Sequence, residues 1–357
     1  MDSGYQARWW HRHEETGKVV CTLCPRECHI PEGGRGFCFV RANVEGELHL
    51  TTYGRSSGFC IDPIEKKPLA HFLPGTAVLS LGTAGCNLGC KFCQNWDISK
   101  SRAMDTLSSN AQPQAIVDAA KQHGCRSIAF TYNDPVIWAE YAIDIAQAAQ
   151  REGIKTVAVT AGYISPDARA EFFSHIDAAN VDLKAFNEIF YRKLTQTQLQ
   201  PVLDTLVYLK RETNVWLEIT TLIIPGENDS PEELREMSDW IVRELGPDVP
   251  LHFSAFHPDF KMMDTPRTPH ETLIRARQTA LDAGLRYVYV GNVTDVQRES
   301  TWCPGCGEIL IERDRYNLRR YQLEGNLCAT CSYTLPGYFE AAPGDWGRKR
   351  VPLGIDR

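Results

Sequence analysis

From residue 76 to about 300 the chain alternates short apolar runs with amphipathic stretches. Ala77-Val78-Leu79-Ser80-Leu81 is an apolar run of strand length, followed by a turn of small residues, Gly82-Thr83-Ala84-Gly85. Arg126–Tyr132, Lys155–Thr160, Ala179–Lys184, Val215–Leu222, Leu251–Phe256 and Arg286–Val290 also read as strands. Between them the spacing predicts helices, one over 113–123 and one over 135–151. The second has Pro135 in its first turn and Ile137, Tyr141, Ile145 and Ala148 on one face. Repeated βα units predict a parallel sheet, here a full or partial (β/α) TIM-like barrel. A flat doubly wound sheet is the alternative, but no G-x-G-x-x-G opens a helix after the first strand.

The flanks break this rhythm. Residues 1–75 read as an irregular Cys-rich leader with one alternating strand, Glu47 to Tyr53. Within it, Asp62 to Phe72 holds Pro63 and Pro68, which fix an ordered loop rather than a helix. Its five ionisable residues either reach an active site or form a solvated loop with local ion pairs. Residues 301–340 carry two C-x2-C knuckles, and 341–357 form a tail. The stretch after Leu335 is expected to pack loosely.

Composition adds a class and excludes others. Hydrophobic content of 43% and charged content of 23% suit an ordinary globular protein. A net charge of −7 counts against a sequence-independent nucleic-acid binder. The start runs into charged residues without an apolar core, so no signal peptide is expected, and no apolar run reaches membrane-span length. The expected location is the cytoplasm.

The 13 cysteines change the picture most. Their spacing suggests metal sites rather than a disulfide framework. Cys21, Cys24, Cys28 and Cys38 lie among tight turns and can chelate either zinc or a second iron–sulfur cluster. Cys303, Cys306, Cys328 and Cys331 form a zinc-ribbon pattern; a rubredoxin-like iron site would use the same ligands. Cys60 and Cys125 are left over and read as buried thiols. Cys86, Cys90 and Cys93 have a C-x3-C-x2-C spacing. A cubane cluster usually takes four thiolates, so three local cysteines suggest one iron left open. An open position is what separates a catalytic metal centre from a closed structural one.

That motif, with Phe92 before its last cysteine, resembles the radical S-adenosylmethionine (SAM) superfamily. The barrel region is similar to pyruvate formate-lyase activating enzyme. The whole chain resembles the AmmeMemoRadiSam system type, on Cys24-Pro25-Arg26, the Asp62-to-Phe72 loop and Gly82 through Ser99. Thr131-Tyr132-Asn133-Asp134-Pro135, Val181-Asp182-Leu183-Lys184, Tyr287 through Val293 and the paired knuckles extend the likeness.

The resemblance implies a [4Fe-4S] cluster on Cys86, Cys90 and Cys93 and an open iron that chelates SAM. It places cofactor contacts at Phe92, Asn133, Asp134, Asp182, Lys184 and His257. Asp134 stands where relatives carry Glu and is expected to receive the methionine ammonium or to cap the helix at Pro135. Asp182 and Lys184, two apart on a strand, share a face and can pair. Ala161 stands where relatives carry Asn.

The implied partners are an external one-electron donor, such as flavodoxin or ferredoxin, and a substrate that the sequence does not identify. Activation of a glycyl-radical protein is one option. A non-catalytic metal-binding protein acting through its ribbon is a rival of a different class. Neither a membrane nor nucleic acid is expected as a partner.

Overall fold

A computed structural model describes residues 4–101 and 111–354. Seven strands run parallel in chain order: β1 (Ala77–Gly82), β2 (Ser127–Phe130), β3 (Lys155–Thr160), β4 (Ala178–Asp182), β5 (Trp216–Ile223), β6 (Leu251–Ala255) and β7 (Val288–Gly291). The helices between them are α1 (Pro113–Gln122), α2 (Ala139–Arg151), α3 (Pro166–Phe173), α4 (Gln200–Glu212), α5 (Pro231–Leu245) and α6 (His270–Asp282). Proline in the first turn of α1, α3 and α5 starts each without losing a needed donor. β1, β2 and β6 are buried at every residue, as expected for parallel strands covered on both faces.

The barrel is the partial form. β7 is one edge of a nine-stranded sheet; at the other, Ser57–Pro63 runs antiparallel to β1, and Val351–Pro352 pairs antiparallel with Ser57–Pro63. The stretch after Leu335 is therefore not loose. Trp346 N donates to Gly75 O at 3.0 Å and Gly344 N to Pro74 O at 2.9 Å. Gly75 and Gly344 approach so closely that a Cβ on either would lie 2.3 Å from the other's carbonyl oxygen. Paired glycines let the backbones meet, while Phe339, Trp346 and Leu353 pack against the cores.

The leader is not irregular. Two three-stranded antiparallel sheets build it: Tyr5–Gln6 with Glu47–Leu50 and Arg41–Val44, and Trp10–Arg12 with Val19–Cys21 and Cys28–Ile30. Apart from Glu47–Leu50, these strands of two to four residues show no clear period. Arg41 fixes this module to the barrel through a fully buried, two-armed ion pair with Glu140 on α2. Arg41 Nε also donates to Ile137 O at 3.0 Å.

After β7, Thr301–Trp302, Ile309–Asp314 and Asn317–Tyr321 form the ribbon sheet. Its core packs Leu310, Ile311 and Leu335 against Tyr287 and Tyr289. Among the described residues no helix is long and apolar enough to cross a membrane.

Candidate active site

A cavity of about 780 Å³ is lined by residues at the C-terminal ends of the barrel strands. Barrels keep their chemistry at that end. Cys86, Cys90 and Cys93 all line it, and among its described lining residues they are the only cysteines. Their loop is tied down from several directions. Asn133 Oδ1 accepts from Thr83 N at 3.1 Å, while its Nδ2 donates to Thr83 Oγ1 at 3.1 Å and Gly85 O at 2.8 Å. Gly89 N donates to Thr195 O at 2.7 Å, and Asn87 Nδ2 to Tyr163 O at 2.9 Å. Gly85 has φ +83°, and a Cβ there would lie 2.0 Å from Cys38 O, so glycine alone fits where the leader meets the loop.

Burial raises the Cys86 thiol and pushes Cys90 up to about 12, although Lys184 and Lys100 oppose it. Without a metal these thiols hold their protons; ligation is what would release them. An all-thiol donor set on one anchored loop suits a soft iron–sulfur group.

Asp134 is buried beside them. Its Oδ1 accepts from Val136 N at 3.1 Å and Thr160 Oγ1 at 2.9 Å, and its Oδ2 from Ala161 N at 3.0 Å. It caps the turn at Pro135 and lines the cavity at once. Burial raises its pKa, against these donors and Lys184. Lys184 lies just past the end of β4, yet its Nζ reaches Asp182 Oδ2 at 2.8 Å. Burial works against the Lys184 charge, but the Asp182 carboxylate more than offsets it and holds the pKa above its ordinary value. Phe92 is buried, with Lys184 Nζ 5.8 Å from its ring centre. His257 is half-exposed, 3.0 Å through Nδ1 from Gln94 Nε2.

Residues behind the cavity wall hold its lining in place. Asp62 is fully buried and accepts from Lys66 Nζ at 2.8 Å, Lys67 Nζ at 2.7 Å, Ser80 Oγ at 3.0 Å and Tyr132 Oη at 3.2 Å. Burial would raise its pKa, but the two ammonium groups hold it well below the usual range. Burial pulls Lys67 down to about 8 against the same pair. Of the stretch from Asp62 to Phe72, Glu65 through Ala70 line the cavity, and Asp62 holds the two lysines from behind. Glu218 anchors this stretch, accepting from Ala70 N at 2.9 Å, His71 N at 2.8 Å and His252 Nε2 at 2.6 Å. Arg315 and Tyr316 come from the ribbon and line the same cavity.

The four ribbon cysteines converge on one point. Cys303 and Cys331 sulfurs are 3.6 Å apart, Cys306 and Cys328 3.8 Å, and all four lie within 4.8 Å of one another. Four thiolates about 2.3 Å from one tetrahedral ion would sit about 3.8 Å apart. In the leader, Cys21 and Cys28 are cross-strand partners, and Cys24 neighbours Cys21, Cys28 and Cys38. Cys60 and Cys125 are buried.

The Radical SAM superfamily profile matches residues 80–241. The chain belongs to the radical SAM superfamily, whose enzymes use a [4Fe-4S] cluster and SAM. It is 42% identical over 319 residues to the uncharacterized protein MJ0808 of Methanocaldococcus jannaschii, a match covering 89% of this chain and 95% of that one. It is 26% identical over 162 residues to the pyruvate formate-lyase-activating enzyme of Clostridium pasteurianum, covering 44% of this chain and 66% of that enzyme. The crystal structure of a radical SAM methyltransferase from Sphaerobacter thermophilus aligns at a TM-score of 0.48 and 17% identity, over 60% of this chain and 66% of that one.

Proposed function

We propose that Cys86, Cys90 and Cys93 hold the [4Fe-4S] cluster, that SAM binds beside it, and that a substrate in the same cavity gives up a hydrogen atom. Bound there, cluster and SAM would supply reductive cleavage to methionine and a 5′-deoxyadenosyl radical, on one electron from an external donor such as flavodoxin or ferredoxin. The observation that carries this reading is a cavity with three thiols and no fourth cysteine among its described lining residues.

The chain's own residues bind, orient and shield. Asp134 has one acceptor site left, on Oδ2, to receive an ammonium group. Lys184, already oriented by Asp182, offers a cation to a carboxylate. Phe92 is an apolar wall, and His257 with Gln94 a polar edge suited to ribose hydroxyls. Asn133 acts through the motif loop, as a positioning residue. A primary alkyl radical attacks any nearby C–H bond, so a cavity walled by the loop at Lys66 and Lys67 and by the ribbon protects the reaction.

The motif run from Cys24-Pro25-Arg26 to the paired knuckles supports the AmmeMemoRadiSam type. The pyruvate formate-lyase-activating relative supports activation of a glycyl-radical protein as a second reading. Reduced, oxygen-free protein given SAM should release 5′-deoxyadenosine, and Cys90→Ala should not. Release that survives Cys90→Ala would contradict the assignment.

A further inference from the structure

Two arginines at this cavity have no carboxylate partner among the described residues. Arg267, in the loop between β6 and α6, donates Nη2 to Asn292 O at 2.9 Å. Arg315, in the turn of the ribbon hairpin, donates Nε and Nη2 to Thr294 Oγ1 at 3.0 and 2.8 Å. Both guanidinium groups are thus pinned to one three-residue stretch after β7. That stretch is itself held: Asn292 has φ +59°, and its Nδ2 donates to Ala255 O at 3.0 Å. Both arginines line the cavity and are exposed to it and to solvent.

The charge around them is unbalanced. Lys66 and Lys67 share a single carboxylate, Asp62. The acids on this side face groups other than these two arginine side chains: Glu65 Oε1 lies 4.0 Å from Arg313 Nε, and Glu65 Oε2 has no hydrogen-bond partner among the described residues. Glu65 Oε1 accepts from Gly75 N at 2.7 Å, and Glu299 accepts from the backbone of Asp295 and of Arg315 itself at 2.9 and 2.7 Å. In a chain of net charge −7, a wall with surplus cations is a local departure. A guanidinium fixed by neutral acceptors keeps its charge and some N–H groups for something else. Planar forks of this kind match carboxylate and phosphate oxygens.

We infer that the substrate carries a carboxylate or phosphate group, received by Arg267 and Arg315 on the ribbon side of the cavity. The inference rests on the proposed function for the word substrate, but the anion subsite stands on its own geometry. It also gives the ribbon a role at the reaction site: the ribbon supplies one of the two receiving groups. The SAM contacts proposed above use Lys184 and Asp134 instead, so the arginine pair remains for the second ligand.

The test is calorimetric titration of the reconstituted full-length protein with inorganic phosphate and, separately, with citrate. SAM is titrated into the same preparation. Saturable binding of one anion at one site is expected, and which anion saturates tells phosphate from carboxylate. Arg267→Gln and Arg315→Gln should each weaken it about tenfold, and Arg315→Lys less, because lysine keeps the charge but not the fork. Melting curves without ligand should match the wild type, since both side chains are exposed. If SAM binds and neither anion saturates, or if both Gln variants bind as tightly as wild type, the inference falls and the SAM site stands. Arginine-dependent anion binding without SAM binding would uphold the subsite and overturn the proposed function.

Discussion

The Tyr289 hydroxyl lies 2.6 Å from His71 Nε2. His71 Nδ1 lies 2.8 Å from Pro336 O, a carbonyl that can only accept, so Nδ1 carries the proton and Nε2 receives one from Tyr289. Thr301, which accepts from Arg313 Nη1 at 2.8 Å, sits 2.9 Å behind Tyr289. One directed chain of hydrogen bonds thus joins ribbon, barrel and the loop at Lys67. It requires a neutral His71.

Burial lowers the His71 pKa from 6.5 to about 4, despite Glu218 nearby. Below 6.5 the unfolded chain takes up a proton that the folded chain refuses, so stability should fall as pH drops through that window. Between about pH 7 and about pH 5 the loss should be on the order of 2 kcal/mol by urea unfolding. Glu218, held down to about 2, extends the acid loss below 4.5. A His71→Phe variant should show a flatter profile above pH 5; an unchanged profile would contradict the neutral assignment.

The buried Arg41–Glu140 pair should respond asymmetrically. Arg41→Met strands a buried carboxylate and should cost about 3–5 kcal/mol, while the double variant with Glu140→Leu should recover much of that. Denaturant unfolding of both variants checks it; equal losses would count against the pairing.

Asn133→Ala removes the clamp on Thr83 and Gly85. Iron retention by the motif loop should weaken about tenfold or more, as for other residues that orient metal ligands. Iron analysis after desalting, alongside a melting curve, separates a loosened loop from an unfolded chain.

Cys306→Ser should release one zinc ion per chain and leave the iron content unchanged. The tight four-sulfur geometry motivates this expectation. Loss of iron instead would reassign the ribbon as a rubredoxin-like site.

The parallel strands were legible because burial on both faces writes apolar runs, as in β1. The ribbon's four-cysteine group was legible through spacing alone. Of the leader's two sheets only the alternating strand at Glu47–Leu50 was legible, because the other strands span two to four residues without a clear alternation. Glu218 was missed: a single acid inside a strand carries no local signature, and its meaning comes from His252 and the backbone of Ala70 and His71. Arg315 and Tyr316 were missed for a related reason. A turn more than 200 residues from the Cys86 motif reaches the cavity only through ribbon docking.

The most direct test of the central claim is electron paramagnetic resonance of the dithionite-reduced protein, with and without SAM labelled at its amino nitrogen. The account predicts a cubane signal that changes when SAM is added and shows hyperfine coupling to the label. A signal that SAM leaves unchanged, from a cluster whose four irons are all held by side chains, would contradict it.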